Sequence, residues 1–223
     1  EIARQAGLPS AEKKDSQGIC FVGKVDLPVF LQQKLASKQG NVIEIFPDFY
    51  DRLEGFPGYA YKNGKEEGAS VEQLSKVYHY KESDGKKIGT HIGAQYYTIG
   101  QRKGLNIGGH KEPIFIIDIV METNTIYVGE GHSHPGLSRK ALRIDADEVH
   151  WIREDLKMTD GESRDYLVRI RYRQPLQNAK LICKGGDLYI LFEEHQRGIT
   201  PGQFAVWYSP DDLEMIGSGV ISE

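Results

Sequence analysis

Cysteines and long apolar runs are scarce in this sequence, and their scarcity excludes several classes of protein. The 223 residues include two cysteines, at positions 20 and 183, which are too few for the disulfide framework of a small secreted domain. No Cys/His spacing suits zinc, the HSH triplet at 132–134 included, so we predict no metal ligands. No apolar stretch approaches the ~18 residues of a membrane span, and no signal peptide is apparent. We expect a soluble protein of the reducing cytoplasm, without membrane contact.

The first residues do not include a methionine. The chain begins with Glu1, and EIARQAGL is typical of the last turns of a helix that ends at Gly7 and Pro9. We therefore expect that the start of the gene product precedes this sequence.

Positive charge is in slight deficit, with a formal net charge of -4, but it is unevenly distributed. Acidic residues crowd the segment 44–84, whereas basic residues concentrate in GQRKG (100–104) and RIRYRQ (169–174). Local basic patches permit phosphate binding on an acidic chain, because salt screens charges beyond about 10 Å. For each patch the alternative is a solvated surface that binds nothing.

The order of patterns predicts two units of different fold. The first has a short helix in LPVFLQQKL (27–35), a strand in NVIEIF (41–46), a short helix in SVEQLSKVY (70–78) and a hairpin that turns at 122–124. After a boundary in HSHPGL, short strands follow one another with turns at GGD, TPGQ and SPDD. The fold class is therefore mixed α+β and all-β: a small central α+β domain followed by a C-terminal antiparallel β-barrel.

The two cysteines lie in contrasting contexts. Cys183 lies in KLICK, inside a predicted barrel strand, where we interpret it as a small buried hydrophobe. Cys20 lies in DSQGICFVG, two residues after Gly18 and three before Gly23, where a turn can present a thiol. A thiol with thiolate character is a nucleophile. A buried structural cysteine is the alternative at position 20.

GQRKG places Gln101, Arg102 and Lys103 between Gly100 and Gly104, so backbone amides and two cations can approach a phosphate. A rigid supporting loop is the alternative. The segment is not a dinucleotide fingerprint, because GxGxxG is not matched and no helix pattern follows.

RIRYRQ predicts a row of guanidinium groups. If 168–173 is a strand, Arg169, Arg171 and Arg173 share one face, which favours phosphates. A solvated arginine row is the alternative.

Four segments together resemble the tRNA-specific 2-thiouridylases, bacterial sulfurtransferases that thiolate the wobble uridine: DSQGICFVG, HIGAQYYTIGQRKGLNIGG, RYRQ and TPGQ. The resemblance extends from Lys13 to Gly219. The resemblance implies a protein of three domains. The first of them, an N-terminal ATP-pyrophosphatase domain, is absent from this sequence apart from its end. The resemblance divides this chain into that end with a catalytic-cysteine loop (1–20), a central domain (21–134) and a C-terminal β-barrel (135–223). ATP would bind the absent domain, so we expect no cofactor in this chain and no activity without that domain.

The resemblance also implies roles for individual residues. Cys20 matches the cysteine that carries persulfide sulfur to C2 of uridine 34 after ATP-dependent adenylation. The cysteine that resolves the persulfide through a disulfide belongs to the absent domain. The tRNA contacts carry over to Arg171, Tyr172 and Gln203, and GQRKG lies toward the nucleic acid. The implied partners are tRNA and a sulfur-relay or cysteine desulfurase donor protein. A noncatalytic RNA-binding module with a structural Cys20 is the alternative.

The segment at about 48–86 departs from the family pattern as an insertion. Its net acidity argues against phosphate contact, and it has too many aromatic residues for a mobile linker. We expect partial order against the central domain. The aromatic residues are Phe49, Tyr50, Phe56, Tyr59, Tyr61, Tyr78 and Tyr80.

Overall fold

The computed structural model describes residues 2–7, 30, 32, 35–53, 69–211 and 213–222. It divides into two units, 1–38 and 39–223. In the first unit, helix α1 (Ile2–Gln5) is followed by Gly7, whose φ of 63° is in the left-handed region and whose N–H donates to the carbonyl of Arg4 (3.1 Å). The predicted helix end is therefore confirmed. Cys20 and most of the helix predicted at 27–35 lie outside the described residues.

Two β-sheets form the framework of the second unit. Helix α2 (Asp48–Asp51) and helix α3 (Val71–Ser75) are its short α-helices in the described ranges. The strands are β1 (Gly40–Glu44), β2 (Lys86–His91), β3 (Ile114–Val120), β4 (Thr125–Glu130), β5 (Ser138–Ile144), β6 (Val149–Trp151), β7 (Ser163–Arg169), β8 (Gln177–Lys184), β9 (Asp187–Arg197), β10 (Phe204–Tyr208) and β11 (Met215–Val220).

The first sheet has four strands in the order β2-β1-β4-β3. Strands β1 and β4 are parallel, and the other neighbours are antiparallel, including the predicted β3–β4 hairpin. Adjacent residues pack on opposite faces: Ile43 and Phe115 contribute to one core cluster, and Val42 and Ile116 to the other. Because both faces are covered, β3 and β4 carry continuous apolar runs instead of alternating patterns.

The second sheet is antiparallel and curled, with seven strands in the order β5-β9-β8-β7-β10-β11-β6. Its inner face holds the larger core, with Trp207 fully buried against Trp151 in an edge-to-face pair (ring centroids 5.3 Å apart). The predicted C-terminal antiparallel β-barrel fold is confirmed. Together with the small mixed sheet and its short helices, it gives the predicted mixed fold class.

The described parts of the insertion contact both sheets. Tyr50 and Tyr80 are buried beside the first sheet, with their hydroxyl oxygens 2.6 Å apart. Helix α3 contacts the second sheet: its Ser75 carbonyl accepts from Arg139 Nη1 (2.9 Å), and its Glu72 pairs with Lys184. Burial lowers the pKa of Arg139 to about 10. Phe56, Tyr59 and Tyr61 lie outside the described residues.

Two buried histidines join loops to the first sheet in the same way. In His91 and in His134, Nδ1 accepts a backbone N–H from two residues further along the chain. The other nitrogen therefore carries the proton, and Nε2 donates to the carbonyl of Asn124 (3.1 Å) or Ile45 (2.9 Å). Burial lowers both pKa values, which favours these neutral tautomers. The HSH triplet thus contributes a structural histidine, His134.

Cys183 lies on β8 as a free, partly buried thiol that packs against the larger core. Burial raises the pKa of its thiol, so it has little thiolate character. The predicted position in a barrel strand is confirmed, although the side chain is only partly buried.

We expect Cys183→Ser to lower the free energy of unfolding by about 1 kcal/mol, because a hydroxyl loses more hydration on burial than a thiol does. Urea denaturation followed by circular dichroism measures this change. An unchanged free energy of unfolding would contradict the packing of the Cys183 side chain against the larger core.

Candidate nucleic-acid interface

A groove of about 580 Å³ lies on the outer face of the second sheet. Its volume is in the range of small-ligand sites. The groove is lined by Arg169, Ile170, Arg171, Tyr172, Gln203, Phe204, Val206 and Tyr208. It therefore brings together the three tRNA contacts that the resemblance implied and one further predicted arginine.

The pairing of β7 with β10 builds the floor of this groove. Arg169 lies opposite Val206, and Val168 lies opposite Trp207. Since successive side chains of a strand alternate, Val168 and Trp207 face the core while Arg169 and Val206 face outward. The Arg169 guanidinium lies 5.3 Å from the ring centroid of Tyr208, within cation–π distance.

The predicted strand over 168–173 is wrong, because β7 ends at Arg169. A turn follows, in which the N–H of Gln174 donates to the carbonyl of Arg171 (3.1 Å). The side chain of Gln174 accepts the N–H of Ile170 (3.1 Å), the group that a continuing strand would offer to its neighbour. The three arginines therefore do not share one strand face.

Because of this turn, the guanidinium groups of Arg169, Arg171 and Arg173 lie at different places on the surface instead of in one row. Arg169 Nη1 donates to the carbonyl of Tyr172 (3.2 Å), which ties the end of the strand to the turn. Arg169 and Arg171 line the groove, whereas Arg173 is not among the lining residues.

Arg171 is held by the loop that follows β9. Its Nη2 donates to the carbonyl of Gly198 (2.8 Å). Gly198 has a φ of 64°, and a Cβ atom there would lie 2.6 Å from the same Nη2. Arg197 lies next in sequence, and burial together with the positive charge of Arg171 lowers its pKa. Glycine at 198 thus permits Arg171 to lie close to this backbone.

The groove has unsatisfied polar groups and uncompensated charge. Arg169 Nε, a donor, and Gln203 Oε1, an acceptor, are buried, and neither has a hydrogen-bond partner among the described residues. In the described part of the chain, no carboxylate lies within ion-pair distance of Arg169 or Arg171. Tyr172 is 78% exposed and Phe204 is 59% exposed. Cations for phosphates, aromatic faces for stacking and an amide acceptor are the groups that bind a nucleotide.

GQRKG forms a tight loop outside the lining of this groove. Gly100 (φ 83°) and Gly104 (φ 96°) are both in the left-handed region, which explains glycine at both ends. The side chain of Gln101 bonds two backbone groups of the same loop (3.0 and 2.7 Å), so it stabilises the loop. Arg102 and Lys103 are exposed, and the described residues offer their side chains no hydrogen bond or ion pair.

Sequence reasoning missed the two aromatic groove residues of β10, Phe204 and Tyr208. The signal was present in FAVWY: Ala205 and Trp207 face the core, so the alternate positions face outward. Two large aromatic side chains on the outer face of the strand that follows Gln203 are typical of a binding surface.

Comparisons with known proteins agree with this architecture. Residues 76–130 match the family model of the tRNA methyl transferase PRC-barrel domain, and residues 141–221 match that of the aminomethyltransferase beta-barrel domain. A tRNA-specific 2-thiouridylase MnmA from Flavobacterium johnsoniae is 49% identical over 226 residues, covering 100% of this chain and 54% of the relative. Along its whole length, this chain is therefore similar to the C-terminal half of tRNA-specific 2-thiouridylases.

More distant 2-thiouridylases align over the same length. The MnmA proteins of Christiangramia forsetii and Halalkalibacterium halodurans are 47% and 38% identical, over 100% and 99% of this chain and 54% and 47% of the relatives. The chain spans about half the length of the curated 2-thiouridylases it matches. Among its described residues, no helix has the length and apolar character needed to cross a membrane.

Proposed function

We propose that this chain is the sulfur-carrying and tRNA-binding part of a tRNA 2-thiouridylase. The observation that carries the proposal is the 49% identity to an MnmA protein across 100% of the chain. The groove supports it, because Arg169, Arg171, Tyr172 and Gln203 are gathered without a described carboxylate to neutralise them. Their groups are suited to an RNA strand, where cations bind phosphates and an amide binds a ribose or base.

In the proposed reaction, ATP adenylates O2 of uridine 34 on the nucleotide-binding domain and pyrophosphate leaves. The terminal sulfur of a persulfide on Cys20 then attacks C2, and AMP leaves with the original oxygen. A second thiol of the nucleotide-binding domain attacks Cys20 Sγ, which breaks the S–S bond and forms a disulfide between the two cysteines. Attack on C2 requires a sulfur nucleophile at Cys20, which a thiolate or persulfide anion supplies.

The partners in this proposal are tRNA and a persulfide donor of the sulfur-relay or cysteine desulfurase class. The proposed location is the cytoplasm, where reducing conditions keep Cys20 and Cys183 from forming adventitious disulfides. This chain is not expected to thiolate tRNA without a nucleotide-binding domain.

Mass spectrometry separates this function from that of an RNA-binding module with a structural Cys20. After the full-length enzyme is exposed to a persulfide donor, the tryptic peptide that contains Cys20 should gain the mass of one sulfur atom. The Cys183 peptide serves as the control and should stay unmodified. A full-length enzyme without added sulfur on Cys20 would favour the noncatalytic module.

Arg171→Ala should weaken tRNA binding and flatten its salt dependence. Each phosphate neutralised by a cation releases counterions, so one lost contact lowers the slope of log K against log salt by about 0.7 to 0.9. The measurement is a titration of the chain with tRNA at several salt concentrations.

Arg153→Ala is the matched control, because Arg153 is paired with Asp155 and Glu214 away from the groove. Its slope should equal that of the wild type. An unchanged slope for Arg171→Ala as well would place Arg171 outside the RNA contact and limit its role to holding Gly198.

A further inference from the structure

We infer that Glu44, His110 and Glu130 form a binding site for a first-row transition-metal dication of the zinc class. One ligand atom from each side chain lies within 4.8 Å of the other two. A nitrogen of the imidazole, Nε2, lies 3.2 Å from Glu44 Oε2. This inference is independent of the proposed tRNA chemistry.

The topology of the first sheet explains why these residues meet. Strands β1 and β4 are parallel, with Glu44 beside Val128, so both strands end at the same edge of the sheet. Glu44 is the last residue of β1, and Glu130 is the last residue of β4. His110 comes from the loop that leads into β3, whose first residue pairs with Glu130. Three distant segments of the chain therefore converge at one sheet edge.

Burial and charge at this edge favour a cation. Glu44 is 6% exposed, and a buried carboxylate is costly without a compensating charge. Among the described residues, no lysine or arginine lies within ion-pair distance of Glu44 or Glu130, and His110 is the ion-pair partner of Glu44. The other imidazole nitrogen, Nδ1, is buried and has no described hydrogen-bond partner. A dication would neutralise the two carboxylates and use the imidazole as a neutral ligand.

The donor set selects the class of ion. Imidazole suits zinc and its neighbours, whereas Mg²⁺ and Ca²⁺ prefer oxygen ligands alone. Ligand distances of about 2.0 to 2.2 Å place neighbouring ligand atoms of a tetrahedral ion about 3.3 to 3.6 Å apart, so the Nε2 to Oε2 distance of 3.2 Å is near the lower end of that range. Glu130 is also oriented for ligation, because its Oε1 accepts the backbone N–H of Glu112 (2.7 Å). Three protein ligands leave a fourth position for water.

The ion would fasten the loop between GQRKG and β3 to the sheet. Leu105 anchors the start of this loop in the core, and His110 would anchor its end. We therefore expect the ion to stabilise the fold. The exposed Arg102 and Lys103 directly precede the loop that the ion would attach to the sheet.

The test is a Zn²⁺ titration of the chelator-treated chain by calorimetry, with thermal denaturation in parallel. We expect one equivalent to bind and to raise the melting temperature. Glu44→Gln and His110→Ala should each weaken binding by at least about 100-fold, since even changes beyond the ligands cost 10- to 100-fold. Glu122→Gln and His150→Ala are the matched controls, because both residues are exposed elsewhere, and they should bind as the wild type does.

Co²⁺ provides a second readout, because its visible spectrum distinguishes nitrogen and oxygen ligands from cysteine thiolates. We expect ligand-field bands without thiolate charge transfer, and their loss in the folded Glu130→Gln variant. The inference is overturned if the wild type binds no stoichiometric Zn²⁺, if Glu44→Gln and His110→Ala bind it unchanged, or if the Co²⁺ spectrum shows thiolate ligation.

Discussion

Cys20→Ser in the full-length enzyme is expected to abolish tRNA thiolation while tRNA affinity changes by less than about twofold. A serine hydroxyl fills nearly the same space, but it cannot carry a second sulfur atom, so the nucleophile of the proposed reaction is lost. Loss of a catalytic nucleophile lowers turnover by more than about 10³-fold in well-studied enzymes. The measurement pairs a thiolation assay with a tRNA titration of the same preparation.

Cys183→Ser is the control for this experiment, because it changes the same atom type in a barrel strand. It should retain turnover. If Cys20→Ser retains turnover too, Cys20 is not the sulfur carrier, and if it loses tRNA affinity in parallel with activity, its role is structural.

Trp207→Ala is expected to lower the free energy of unfolding by about 3 to 5 kcal/mol, the usual cost of removing a large buried aromatic side chain. Trp207 has no exposed surface, and it packs against Trp151 and over Gly217, where a Cβ atom would lie 2.6 Å from its ring. Neighbouring backbone therefore cannot collapse into the cavity without breaking the pairing of β10 with β11. Urea denaturation monitored by circular dichroism measures the loss.

Phe204→Ala is the matched control on the same strand, since Phe204 faces the groove instead of the core. It should cost less than about 1 kcal/mol of stability and should weaken tRNA binding instead. Equal stability costs for the two variants would contradict the assignment of an inner and an outer face to β10.

The sequence predicts best where local signals decide the structure. Turn residues at GGD and TPGQ correctly separated the barrel strands, and Gly7 correctly marked a helix end. The strand predicted over 168–173 failed because alternation continues through RIRYR, while a side-chain contact from Gln174 stops the ladder at Ile170. A bond between a side chain and the backbone leaves no trace in hydrophobic periodicity.

The candidate site residues also differ in whether neighbouring sequence or distant strand pairing determines their position. The family resemblance implied Arg171, Tyr172 and Gln203 as tRNA contacts. The fold brings these three residues into one groove. The cluster of Glu44 and Glu130 could not be predicted, because it depends on the parallel pairing of β1 with β4, in which Glu44 lies opposite Val128, 84 residues further along the chain. Spacing rules for metal ligands apply within one element, and these ligands come from three separate segments.

Gly198 has a consequence for how this surface tolerates mutation. In a library of single substitutions selected for binding, position 198 should return mainly glycine, since every other side chain meets a left-handed backbone and must displace the guanidinium of Arg171. A shortened side chain at 171 would remove the steric conflict, although the left-handed backbone would still disfavour most residues. We therefore expect residues other than glycine at position 198 to be found more often in variants that also carry a shorter side chain at position 171. The two positions would therefore appear as an interdependent pair, although 27 residues separate them in the chain.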